Sequence, residues 1–185
     1  MQAYELLVGA FLEREGFWVR QSFKVELTAD DKKRIGRPSS PRWEVDLIAY
    51  RPRDNLLRVV ECKSYFDSRG VKADDLIGAD GEKSRYKLFV DQDLRDTVLA
   101  RLRQQLYDAK SLPPEPAIVL CLAAGRVATA KDRERLAAHF DKMGWLLLDD
   151  KWAQDGLTKL AHGGYDNSVA AVTAKLLCPL LSPKP

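Results

Sequence analysis

At 185 residues, 45% hydrophobic and 31% charged, the chain has enough apolar side chains for one substantial core and too many for a disordered segment. No apolar run approaches the roughly 18 residues needed to span a bilayer, and no basic-apolar-small leader opens the chain, so a cytoplasmic protein without a membrane partner is expected. Cys62, Cys121 and Cys178 are scattered through apolar runs and the two histidines are His139 and His162, which leaves little material for disulfides, zinc sites or a Ser-His-Asp triad and makes carboxylates the available chemistry.

One domain over residues 1–185 is expected, with a core to about 150 and a helical extension from about 151 to 185. Tyr4, Leu7, Val8 and Phe11 recur on one helix face before Gly16, which predicts a helix over 2–15. Phe17 to Leu27 alternates as a strand, interrupted at Gln21 and Ser22. Lys32, Lys33, Arg34, Arg37 and Arg42 then gather in a Pro/Ser/Gly-containing stretch opposed by Asp30 and Asp31. The net charge of +3 says little about partners, but such a loop can neutralise phosphates; the competing reading is an ordinary solvated loop.

Trp43 to Tyr50 and Leu56 to Lys63 are strand-like runs joined by Arg51-Pro52-Arg53-Asp54-Asn55, whose turn chemistry predicts a hairpin. Residues 64–93 contain Gly70, Gly78 and Gly81 without sustained periodicity and are expected to be irregular. A helix from Leu94 to Lys110 turns Leu94, Val98, Leu102 and Leu106 inward and is blocked by Pro113, Pro114 and Pro116. Ala117 to Ala123 reads as a buried strand, Lys131 to Met143 as a helix and Trp145 to Leu148 as another strand, giving the order αβββαβαβ. A last helix is expected from about Ser168 to Cys178, ended by Pro179.

The hairpin carries the chemistry. With the turn centred between Arg53 and Asp54, the numbers of antiparallel partners sum to about 107, so Tyr50 faces Leu57 and Asp46 faces Glu61. Opposed side chains in such a ladder have Cβ atoms about 4.5–5.5 Å apart, and two carboxylates there repel unless a cation compensates them. Lys63 projects on the same face as Glu61, one step along. Glu44 would face Lys63, either holding it or serving as a weaker ligand, and is equally read as a surface glutamate at a strand start. A solvated cross-strand Lys-Glu pair is the bland alternative for the trio, but Val45 to Ala49 and Val59 to Cys62 are runs expected to be buried on both faces, where acids are costly unless paired or metal-bound. Hard oxygen ligands favour Mg2+, with Mn2+ as a substitute. The reaction that suits the set is phosphodiester hydrolysis, with Asp46 and Glu61 as ligands and Lys63 as the catalytic cation.

Glu44-Val45-Asp46-Leu47-Ile48-Ala49, a turn and Val60-Glu61-Cys62-Lys63 resemble the motif of the PD-(D/E)XK nuclease superfamily, nearest in look to its Holliday-junction-resolvase-type and Mrr-type branches. Asp46 matches the first acid and Glu61-Cys62-Lys63 the second element; Val45 stands where the superfamily name has proline, a departure that removes no ligand. The resemblance spans roughly residues 1–123 and implies an α/β, restriction-endonuclease-like αβββαβ core with a mixed central sheet flanked by helices. It also implies Glu5 as an accessory metal ligand, although an acid in the first turn of a helix needs no function to be favourable. Gln104 or Gln105 would reach the site or the nucleic acid from the following helix. The implied activity is Mg2+-dependent endonucleolytic cleavage, of DNA before RNA, with a homodimer suited to cutting both strands. The alternative is a non-catalytic nucleic-acid-binding or accessory module that keeps the fold.

Overall fold

In the computed structural model, which describes residues 3–39, 42–78 and 85–181, five apolar segments pair into one mixed sheet in the order β1-β2-β3-β4-β5. Strand β2 (Arg42–Arg51) runs antiparallel to both of its neighbours, β1 (Trp18–Glu26) and β3 (Leu56–Lys63), and β4 (Ala117–Ala124) and β5 (Leu146–Leu148) continue parallel to β3. The helices are α1 (Ala3–Arg14), α2 (Ala29–Arg34), α3 (Lys87–Val90), α4 (Gln92–Asp108), α5 (Ala130–Met143), α6 (Asp150–Ala161) and α7 (Val169–Leu181).

Both faces of the sheet are covered, which is why β4 reads as a continuous apolar run and not as an alternation. On one face Leu57, Val59, Leu120 and Leu122 meet Leu94, Val98 and Leu102 of α4 and Leu136 and Phe140 of α5. On the other, Leu47, Ala49, Val60, Cys121 and Ala123 meet Tyr4, Val8 and Leu12 of α1. Each fully buried leucine or valine contributes about 1.5–3 kcal/mol relative to exposure, so these two layers fix the sheet against its helices. Helices α6 and α7 pack behind α1 through Phe11, Ala153, Leu160, Ala171 and Ala174. Gly156 permits that approach, since a Cβ there would lie 2.8 Å from the Phe11 ring.

The hairpin turn is fixed by local chemistry. Pro52 starts a short 3-10 turn that Asn55 closes in the left-handed region at φ 48°. Its side chain accepts from the Tyr50 hydroxyl and donates to the carbonyls of Pro114 and Glu115. The register follows as expected, with Tyr50 opposite Leu57 and Leu47 opposite Val60.

Several expectations change. The basic stretch is partly helical: Thr28 and Asp31 form a reciprocal capping box that starts α2, so Lys32, Lys33 and Arg34 sit on a helical turn. The segment after β3 is pinned, because Val71 forms a parallel bridge with Val127 and Ala73 N–H donates to Asp132 Oδ1. Gly81 lies outside the described residues. Helix α7 passes Pro179 and runs to Leu181, so the proline, which removes one internal hydrogen bond, does not terminate it. Among the described residues no helix is long and apolar enough to cross a membrane.

Candidate functional site

The regular ladders fail at one point in β2. Between β1 and β2 the pairing passes from Gln21 with Leu47 to Phe23 with Val45, and the step between them, Ser22 and Asp46, drops out. Ser22 takes φ 48°, which a non-glycine residue adopts only under constraint. Between β2 and β3 the ladder stops at Leu47 and Val60. Side-chain alternation breaks at the same place: Val45 and Leu47, two apart, pack on opposite faces of the sheet. One residue drops out on each strand and the register is unchanged, so this is a local break in the ladder that re-aims the side chains at its centre.

On β2 that side chain is Asp46. Its Oδ2 accepts from the Cys62 N–H at 2.7 Å, so a carboxylate takes the position that a main-chain carbonyl of β2 would otherwise fill. The expectation that Asp46 and Glu61 oppose each other as a ladder pair is therefore corrected: the register points that way, but the strands have parted and Asp46 caps the gap. Beyond Val60, β3 is held from the β4 side, where Glu61, Cys62 and Lys63 pair with Leu122, Ala123 and Ala124.

Glu61 retains about 15% of its side-chain exposure and Lys63 about 22%, with Lys63 Nζ 3.8 Å from Glu61 Oε2. Burial pushes the Glu61 carboxyl up to about 7; the Asp46 carboxylate adds to the rise, the Lys63 ammonium opposes it, and Glu5 adds a further push. Glu5, on the first turn of α1, is buried and acts electrostatically on both Glu61 and Cys62. The Cys62 thiol is driven well above its ordinary range, first by burial and then by Asp46, Glu5 and Glu61, so it supplies no thiolate. Asp46, Lys63 and Glu5 thus all act on Glu61, near the C-terminal ends of β3 and β4. In parallel strands this is the end at which loops gather side chains for ligands.

The remaining expected residues divide. Arg42 opens β2 four residues from Asp46, about 13 Å along the strand, so the α2 segment lies at the same end of the sheet as the acids. Lys33, Arg34 and Arg42 are exposed, Lys32 is half-buried, and Arg37 stacks on Trp43 at 5.2 Å. Glu44 does not face Lys63; it is exposed and in register with Lys24, because the ladder to β3 ends before it. Gln105 does not reach the acids either. It staples α4 to β1, accepting from Glu26 N–H and donating to the Lys24 carbonyl.

Residue-level reasoning missed three contributors. Tyr4, next to Glu5, is buried with no hydrogen-bond partner for its hydroxyl among the described residues, and burial followed by Cys62, Asp150 and Asp149 holds that hydroxyl far above its usual range. Gly125, directly after β4, donates to the Lys63 carbonyl at 2.8 Å. Phe66, three residues past Lys63, is exposed beside the site. Gly125 had a sequence signal, a glycine ending an apolar run, whereas Tyr4 looked like any core residue of a helix face.

Among the described residues no three His, Cys, Asp or Glu side chains are grouped as a ready-made metal cage. Magnesium needs no such cage, since it commonly takes one or two carboxylates and retains waters. Comparison with protein-family models, curated proteins and solved structures found no match to this chain.

Proposed function

We propose that this chain is a metal-dependent nuclease that hydrolyses phosphodiester bonds, of DNA in the first instance, on a restriction-endonuclease-like core formed by α1 to β4. The observation that carries the reading is buried Glu61, 3.8 Å from Lys63 Nζ and pushed up to about 7 by burial and by the Asp46 and Glu5 charges. Acids held together at such cost call for a compensating cation. The donor set fits a hard divalent ion, because it offers carboxylate oxygens and no thiolate.

Asp46 and Glu61 would hold the ion, with Glu5 as accessory. When bound, magnesium or manganese supplies Lewis-acid polarisation of a phosphoryl oxygen and a lowered pKa for water. Asp46 is oriented for its role by the Cys62 N–H, which fixes one carboxylate oxygen and leaves the other to the ion. Lys63, rigidly placed by the β3–β4 ladder, would stabilise charge that develops on the phosphoryl oxygens and orient the attacking water. Lys32, Lys33, Arg34, Arg37 and Arg42 would neutralise flanking phosphates.

The test is cleavage of single-stranded, duplex, flap and four-way-junction DNA with magnesium or manganese by wild type, Asp46→Asn and Lys63→Ala. Wild type is expected to cut, and each variant to lose at least a hundredfold in rate, the order that removal of one electrostatic contributor costs. No cutting of any substrate with either metal, or equal cutting by the variants, would sink the assignment. The engagement of Asp46 by the Cys62 N–H favours a second reading, a nucleic-acid-binding module in which that carboxylate is purely structural. Calorimetry separates the two: a nuclease takes up manganese in a manner abolished by Glu61→Gln, and a binding module does not.

A further inference from the structure

Phe66 is 56% exposed, yet its ring is seated. Its Cε1 and Cζ atoms lie 2.9 Å from where a Cβ on Gly125 would stand, and the buried ring of Tyr4 meets it edge-on with centroids 5.5 Å apart. The seat exists only because residue 125 is glycine: a Cβ there would also come within 2.4 Å of the Ser64 carbonyl oxygen.

The backbone delivering the ring is strained as well. Tyr65 has φ 49°, a left-handed conformation uncommon for an aromatic residue. Ser68 locks the turn, its N–H and its hydroxyl both donating to the Tyr65 carbonyl, while Gly70 N–H donates to Ser68 Oγ. A single exposed phenylalanine is ordinary on a protein surface. One held out by a strained turn, a glycine seat and a buried aromatic neighbour is over-determined, and strain of this kind gathers at ligand clamps.

We propose that Phe66 is a stacking platform for an unpaired base flanking the scissile phosphate, so that the substrate is single-stranded or locally unpaired nucleic acid and not continuous duplex. The inference rests on the nuclease reading for the position of the scissile phosphate. Phe66 lies three positions after Lys63, at most about 11 Å of chain, and its ring contacts Tyr4, the residue before Glu5, so it stands at the same end of the sheet as the acids. Bases inside a duplex already stack on their neighbours, so a protein ring competes only for an unpaired one. Every base presents a π-face, which makes such a platform tolerant of sequence.

The experiment is fluorescence anisotropy with labelled oligo-dT and a labelled duplex of equal length, in calcium buffer, for wild type, Phe66→Ala, Phe66→Leu and Phe66→Trp. Phe66→Ala is expected to weaken oligo-dT binding roughly 5- to 150-fold, the loss of one base–aromatic stack, and duplex binding less than about twofold. Phe66→Leu should fall with Phe66→Ala, and Phe66→Trp should retain affinity with tryptophan fluorescence quenched beyond that of wild type on binding. Equal binding by wild type and Phe66→Ala, parallel losses on both ligands, full affinity in Phe66→Leu, or no binding by wild type would each overturn the proposal. Thermal melts confirm that the variants are folded. Carboxylate-dependent cleavage with no effect at Phe66 defeats this inference alone; a Phe66-dependent preference without cleavage defeats the nuclease reading alone.

Discussion

Glu61 makes the stability of the protein depend on pH in an unusual direction. Its folded-state value of about 7 lies above the ordinary 4.5, so between those values the folded chain keeps a proton that the unfolded chain has released. Stability is therefore fullest below about 4.5 and is lost as pH rises through about 7, by on the order of 3 kcal/mol at most. Urea melts in chelator, taken as the difference between wild type and Glu61→Gln, should show this decline and flatten above about pH 8. A difference that does not vary with pH would refute the buried-acid account. Gly125 allows a second residue-scale prediction. Alanine there meets the Ser64 carbonyl and the Phe66 ring, so Gly125→Ala is expected to lower stability by about 1–3 kcal/mol in thermal melts. Asp46 stood out in the sequence as an acid within an apolar run, but its bonding to a backbone amide was not legible. The runs around Asp46 are apolar on both faces, so alternation carries no parity signal from which to detect the break in the ladder.

At the scale of elements, the β2–β3 hairpin was the most readable part of the chain because its register is dictated by a short turn. Pro52 sets one dihedral, Asn55 accepts the left-handed conformation, and the Asn55 side chain ties the turn to the segment before β4. Asn55→Ala would strain the left-handed position and release those hydrogen bonds, with an expected loss of about 1–3 kcal/mol. An unchanged urea midpoint would show that the turn is not what fixes the register. Helix α2 was less readable: its Thr28 and Asp31 spell a capping box, yet six residues rich in charge and lacking buried positions give no periodicity. Helix α6 carries Gly156 in its middle, an unfavourable helix residue whose presence follows from the approach of Phe11 on another element.

For the whole molecule, the sheet places its basic α2 segment and its acid cluster at one end. The protein thus presents exposed cations at the end of the sheet where the acids lie, an arrangement suited to a polyanion. Binding of oligo-dT should weaken with salt, and Lys33→Ala combined with Arg34→Ala should reduce the logarithmic salt slope by about 0.7 for each phosphate no longer neutralised. A slope unchanged by the double substitution would place the nucleic acid elsewhere. That shared end arises from tertiary pairing across β1, β2 and β3, which is why charge counting alone does not decide the role of the basic stretch.

The bond between Asp46 and the Cys62 amide also gives the centre a spectroscopic handle. An ion that draws electron density from the Asp46 carboxylate weakens its hold on that N–H, so the Cys62 amide proton should move upfield and exchange faster with solvent as manganese-free magnesium is titrated in. A single backbone resonance, on a residue that contributes no side chain to the chemistry, would then report occupancy without any substrate being present.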